Sequence, residues 1–175
     1  TTLFRSMQTA QSRQRIVIVG GGTAGWLTAA VVAAKHKIAP GQCALDITLI
    51  ESSDIPTVGV GEGTWPTMRN TLKDIGLSEK EVFRRCSAAF KQGGKFVNWV
   101  KAEGDAYYHP FTVPLGYGRI EMAPYLDQVA DFANATNFQQ HICEQNLAPR
   151  ALSDAEYSSA QSNYAYHLDA GAFAD

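Results

Sequence analysis

Cysteine is scarce and scattered: Cys43, Cys86 and Cys143 stand far apart, with no CxxC spacing among them. That argues against a disulfide framework and a thiolate metal site, and the odd count reads as free thiols in a reducing compartment, the cytoplasm. The histidines His36, His109, His141 and His167 are equally dispersed, so no metal centre is expected. Neither sign of charge is in excess. With 15 Lys and Arg against 17 Asp and Glu, the net charge of −2 gives no pull toward nucleic acid or an acidic membrane surface. No apolar run approaches the roughly 20 residues that cross a bilayer, and there is no internal repeat or low-complexity tract. What the chain does have is core material. Its 45% hydrophobic residues suit a soluble globular protein, and 175 residues suit one domain. Residues 1–14 are polar, lack a signal-peptide core and do not begin with Met. They read as a disordered or artificially added leader, with the domain proper over 15–175.

The informative stretch follows that leader. Ile16 to Val19 is a short β-branched run of the kind found in fully buried parallel strands. It enters Gly20-x-Gly22-x-x-Gly25 and then an alanine-rich apolar run, Trp26 to Ala34. The first glycine permits the tight turn, the second admits a pyrophosphate to the backbone, and the third lets the helix pack on its strand. Thr23 and Ala24 then lie at the helix N-terminus, where free N–H groups favour phosphate. A second strand, Leu45 to Ile50, ends in Glu51, 26 positions after Gly25 against roughly 20 in the usual pattern. Ala39-Pro40-Gly41 reads as a loop that takes up the excess. A carboxylate at this place accepts both hydroxyls of an adenosine ribose. The fold expected is therefore α/β, a Rossmann-like dinucleotide domain; the motif does not separate FAD from NAD.

Beyond it the pattern predicts several short elements. A helix is expected over 67–75, opened by Pro66 and closed by Gly76. Ser78 and Glu81 form a capping-box pair for the next helix, with Val82, Phe83, Cys86 and Phe90 on its buried face. Strand composition marks Lys95 to Val100, a helix is expected over Pro124 to Ala133, and Ser153 to Asn163 reads as loop. A short strand is expected at Tyr164 to Leu168 and a helix from about Asp169. Tyr107, Tyr108, Phe111 and Tyr117 read as packing residues.

Three segments together resemble the flavin-dependent tryptophan halogenase family. They are Gly20-Gly21-Gly22-Thr23-Ala24-Gly25-Trp26, Pro56-Thr57-Val58-Gly59-Val60-Gly61-Glu62-Gly63-Thr64-Trp65-Pro66, and Ala89-Phe90-Lys91-Gln92-Gly93-Gly94-Lys95-Phe96-Val97-Asn98-Trp99. Tyr166-His167-Leu168-Asp169-Ala170 is a weaker match, and 101–162 is poorly matched. The resemblance implies the FAD-binding domain of the flavin monooxygenase/halogenase type, incomplete in this chain. It places Gly20, Gly22, Thr23, Ala24, Gly25 and Glu51 at the dinucleotide, and Val60, Gly61 and Glu62 along the isoalloxazine and ribityl part. Trp65 is read first as core, second as a wall beside the flavin.

By residue type alone Lys91 is a solvated lysine at a helix end. The resemblance makes it the catalytic lysine. Reduced FAD from a separate flavin reductase, oxygen, and chloride or bromide yield hypohalous acid, which the lysine passes to an electron-rich indole- or phenol-type ring. An ammonium would donate a hydrogen bond to that acid; a neutral amine would form a haloamine. Lys95, four positions on, reads as structural or surface. On a helix, one turn would set the two lysines side by side and lower the Lys91 pKa.

Departures from the family also matter. Its Trp-x-Trp-x-Ile-Pro motif and its later glutamate have no counterpart in these 175 residues. The chain reads as a fragment without the substrate half, inactive alone. Gly63 and Trp65 replace the Ala and Ile of tryptophan-specific members, leaving the substrate open. A homodimer is the candidate assembly. The rival readings are an FAD-dependent aromatic monooxygenase and a non-catalytic flavin-binding module.

Overall fold

The computed structural model describes residues 13–36, 45–55, 61–101, 103–129, 131–149 and 162–174. Strand β1 (Gln14–Val19) pairs in parallel with β2 (Leu45–Ile50), Ile16 opposite Ile47 and Val19 opposite Ile50, with helix α1 (Thr23–Lys35) as the crossover. This is the expected βαβ start. Gln14, from the segment read as leader, already pairs with Leu45. The expectation of full burial is not met. Val19 is 82% exposed, and α1 has no buried residue. A parallel sheet needs cover on both faces, and among the described residues these two strands stand alone in their sheet.

Helix α2 (Thr67–Asp74) ends in a Schellman motif. Gly76 takes φ +86°, its N–H donates to the Lys73 carbonyl at 3.0 Å, and that of Leu77 donates to Leu72 at 2.9 Å. Helix α3 (Glu79–Arg85) starts on Ser78, whose Oγ accepts from the Glu81 N–H at 3.3 Å. The Ser78 hydroxyl donates to the Glu81 carboxylate at 2.9 Å, a variant of the expected box.

These helices cover one face of a three-stranded antiparallel sheet, β3 (Glu62–Gly63), β7 (Ala165–Leu168) and β4 (Ala89–Lys91), with β7 in the middle. Leu72, Val82, Cys86, Tyr164, Tyr166 and Leu168 form the core, with Phe83 packed against it as expected, while Phe90 reaches it from strand β4 and not from the helix, which ends at Arg85. Phe83 meets the edge of Tyr166 at 5.7 Å between centroids, and Phe90 that of Tyr164 at 5.1 Å. Such pairs contribute about 0.5–1.5 kcal/mol beyond their buried area.

Both buried phenols donate to one carboxylate oxygen, Glu79 Oε1, at 2.8 Å from Tyr164 and 2.7 Å from Tyr166. The Arg69 guanidinium lies 3.8 Å above the Tyr164 ring. Burial first, and the bond to Glu79 second, push both tyrosines well above their ordinary 10.0. Glu79→Ala orphans two buried donors, and we expect a loss of about 2–4 kcal/mol in urea unfolding. Glu79→Gln keeps an acceptor and should lose less. The raised phenol pKa values add stability that is complete below pH 10 and is lost as pH rises through the native values. An alkaline unfolding series checks this, and a flat profile would refute it.

Strands β5 (Gly93–Val97) and β6 (Ala106–Pro110) form a hairpin, with Phe96 stacked on Tyr107 at 5.1 Å. The helix expected over 124–133 does not form. A 3₁₀ turn at Ala123–Tyr125 gives way to helix α4 (Phe132–Thr136), followed by α5 (Gln139–Glu144). Asp131 breaks the run because its carboxylate caps α4, accepting from the Asn134 N–H at 3.3 Å. Tyr125 and Leu126 are exposed, so no packed face supports a longer helix. Helix α6 (Ala170–Ala174) follows β7, capped by Asp169 Oδ1 at 2.9 Å from the Ala172 N–H.

Candidate active site: a glycine loop and a caged lysine

The turn from β1 to α1 is bare backbone. Gly20 has φ +117°, and its N–H continues the ladder to the Ile50 carbonyl at 2.8 Å. A Cβ on Gly25 would overlap the Gly20 carbonyl oxygen, whereas one on Gly22 would meet nothing within 4 Å. The third glycine is thus required by helix–turn packing, while the second keeps open space beside the N-terminus of α1. No side chain caps that N-terminus and no acidic residue lies in its first turn, which holds Thr23 and Ala24. Glu51 folds from the end of β2 over Gly21, where any Cβ would collide with its carboxyl group. Gly21 is the residue that sequence reasoning missed, since the motif leaves that position free. A glycine cradle, an uncapped helix start and an adjoining carboxylate suit a dinucleotide. Gly61 and Glu62 are exposed at β3, and Val60 lies outside the described residues.

Lys91 is on a strand, which corrects the helix-end reading. In β4, Phe90 opposite Tyr166 faces the core, so the alternation turns Lys91 to the other face. Its Nζ donates to the Thr64 carbonyl at 3.1 Å and lies 5.1 Å from the Trp65 ring centroid and 5.6 Å from that of Phe111. Trp65 in turn packs against Phe111 at 5.5 Å and His109 at 5.8 Å. Cation–π contacts of this kind contribute about 0.5–1 kcal/mol at exposed positions and more when desolvated. Thr64 is held firmly. Its N–H donates to the Tyr166 carbonyl at 2.8 Å, and its Oγ1 accepts from the Tyr166 N–H at 2.9 Å.

Two expectations change here. Trp65 is 54% exposed and forms a wall of the lysine cleft, not core. Lys95 lies on β5, in another sheet, 5.3 Å from the Tyr108 ring. Without a shared helix, the pairing proposed to lower the Lys91 pKa has no geometric basis. Phe111 does pack, as expected, but against Trp65 and the lysine, and His109 joins it from a segment in which no site residue was foreseen. Residues two apart at a strand end carry no sequence signal for this partnership.

The remaining titratable groups are quieter. Cys86 and Cys143 are free, and burial raises both thiols, which is the opposite of activation; Cys43 lies outside the described residues. Among the described residues no cluster of three or more His, Cys, Asp or Glu could hold a metal. Nor does any helix there have the length and apolarity to cross a membrane.

The tryptophan halogenase family model matches residues 15–175. This chain belongs to the tryptophan halogenase family. It is 36% identical to the tryptophan 7-halogenase RebH of Lentzea aerocolonigenes over 92% of the chain and 32% of that protein. With the tryptophan 6-halogenase ThaL of Streptomyces albogriseolus the identity is 32%, over 89% and 32%. A solved tryptophan halogenase from Shewanella frigidimarina superposes with a TM-score of 0.79 at 44% identity, covering 93% of this chain and 33% of its own. BrvH, a flavin-dependent halogenase from Brevundimonas sp. BAL3, superposes with a TM-score of 0.69 at 32% identity, over 94% and 32%. This tryptophan halogenase family chain therefore spans about a third of the length of these relatives, and its α/β architecture is that of their structures.

Proposed function

We propose that the chain is the FAD-binding N-terminal part of a flavin-dependent halogenase acting on an electron-rich aromatic ring of the indole or phenol type. The observation that carries this reading is the setting of Lys91, with Nζ on the Thr64 carbonyl and beside the paired rings of Trp65 and Phe111. When bound, FAD reduced by a separate reductase would supply hypohalous acid from oxygen and chloride or bromide. Gly20, Gly22 and Gly25, with the N–H groups of Thr23 and Ala24, would hold its pyrophosphate, and Glu51 its ribose. Gly61 and Glu62 would border its ring.

Lys91 then acts on the acid. An ammonium has three N–H donors, and the Thr64 carbonyl takes one. Another donates to the hypohalous oxygen, which makes the halogen more electrophilic. The arene gives an electron pair to the halogen, and the O–X bond breaks with its pair on oxygen. Oxygen takes a proton from the Lys91 ammonium and leaves as water, and the amine so formed takes the proton that the ring loses. The exposed rings of Trp65 and His109, with the half-buried Phe111, would hold the arene beside Nζ. The test is bromination by the whole protein with FAD, reductase, NADH, oxygen and bromide, read by mass spectrometry on indole, tryptophan and phenols. Brominated products support the reading. Oxygenated products would mark an aromatic monooxygenase, and hydrogen peroxide alone a module without halogenation.

A further inference from the structure

Beside Lys91, on the same face of the sheet, stands a residue that the proposed reaction leaves unused. His167, in the central strand β7, pairs with Gly63 on one side and with Ala89 on the other, while Lys91 pairs with Ala165 two positions along. Paired residues and their second neighbours share a face, so His167, Gly63 and Lys91 point the same way. Gly63 has no side chain, and two others converge on the space above it. A Cβ there would lie 3.2 Å from Lys91 Nζ, 3.6 Å from His167 Nδ1 and 3.7 Å from its Cε1.

We propose that His167 is a positioning residue for Lys91: its imidazole closes the gap above Gly63 and keeps Nζ on the Thr64 carbonyl. The proposal rests on the lysine-dependent halogenation described above. Burial first, and the Lys91 charge second, hold the imidazole below its ordinary 6.5. It is therefore neutral at neutral pH; the other imidazole of the cleft, His109, packs on Trp65. Other charges near β7 are turned elsewhere. Glu62 pairs with Leu168 and so alternates to the opposite face, and Glu79 and Arg69 sit with the tyrosines on that face. Asp169 Oδ1 is engaged by the Ala172 N–H. Protonation of His167 sets a second positive charge beside the first, and repulsion drives Nζ off its carbonyl. Halogenation is then lost as pH falls through the depressed value.

The test follows the Lys91 side-chain resonances by NMR across pH in the whole protein without cofactor, and kcat across the same range with it. In the wild type, Lys91 should shift with the same midpoint as the His167 ring, below 6.5, and kcat should fall on its acid side there. In His167→Gln, which cannot titrate, both inflections should vanish. His167→Ala should lower kcat by about tenfold or more with KM little changed, because a lysine displaced by about 1 Å is misaligned. Gln should recover part of that loss. Lys91 resonances blind to His167 titration, or an acid limb that survives in His167→Gln, would overturn the proposal. Failure of the halogenase reading looks different: no halogenated product from the wild type, with the Lys91–His167 coupling still present in the cofactor-free spectra.

Discussion

Lys91→Ala is expected to abolish halogenation, with a loss of about 10²–10⁴ in kcat, while FAD binding and folding persist. The magnitude is that of removing one positioned proton donor from a transition state. The separation of effects follows from the architecture. Lys91 ends β4 in the three-stranded sheet, on the face turned from the core, and its Nζ donates to a backbone carbonyl. Losing that bond and the contacts to Trp65 and Phe111 costs about 1–2 kcal/mol. The glycine cradle belongs to the other, parallel sheet and is untouched. Lys91→Arg keeps the charge but replaces a compact ammonium with a wide planar fork, so it should rescue stability and not rate. Bromination that survives Lys91→Ala would remove the lysine from the mechanism.

The second large effect separates two glycines of one motif. Gly25→Ala puts a methyl onto the Gly20 carbonyl oxygen. Helix α1 must then move off the end of β1, at a cost of about 1–3 kcal/mol for overpacking. Its N-terminus then leaves the proposed phosphate position, and we expect FAD affinity to fall by about 100-fold or more, since 1.4 kcal/mol is already a factor of ten. Gly22→Ala differs. Its φ of −74° suits any residue, and its Cβ would meet nothing within 4 Å. Thermal unfolding should be unchanged without the cofactor, while FAD affinity falls because the methyl fills the space for the pyrophosphate. Flavin fluorescence titration and a melting curve on both variants check the pair. Equal affinity for FAD in Gly22→Ala and wild type would place the pyrophosphate elsewhere.

The sequence alone determined the parts that neighbouring residues settle among themselves. The β1–α1 turn needs a glycine at Gly20, where φ is positive, and at Gly25, where a side chain has no room. The Gly76 cap and the Ser78–Glu81 start are hydrogen bonds spanning a few residues, and the helical spacing of Val82, Phe83 and Cys86 was enough to find a buried face. Lys91 was found by resemblance, and its residue type alone pointed to solvent. Tertiary structure decided the rest. The run at 124–133 has helical composition, but a helix so short needs a packed face. No such face exists at Tyr125 and Leu126, so Asp131 was free to cap a separate helix. The lysine cleft exists because the chain returns 102 residues later to pair Tyr166 with Thr64, which places the Thr64 carbonyl under Nζ and His167 beside it. Strand alternation then decides that Phe90 is core and Lys91 is not. Contacts across that distance depend on how distant strands meet, and local residue preferences carry no information about it.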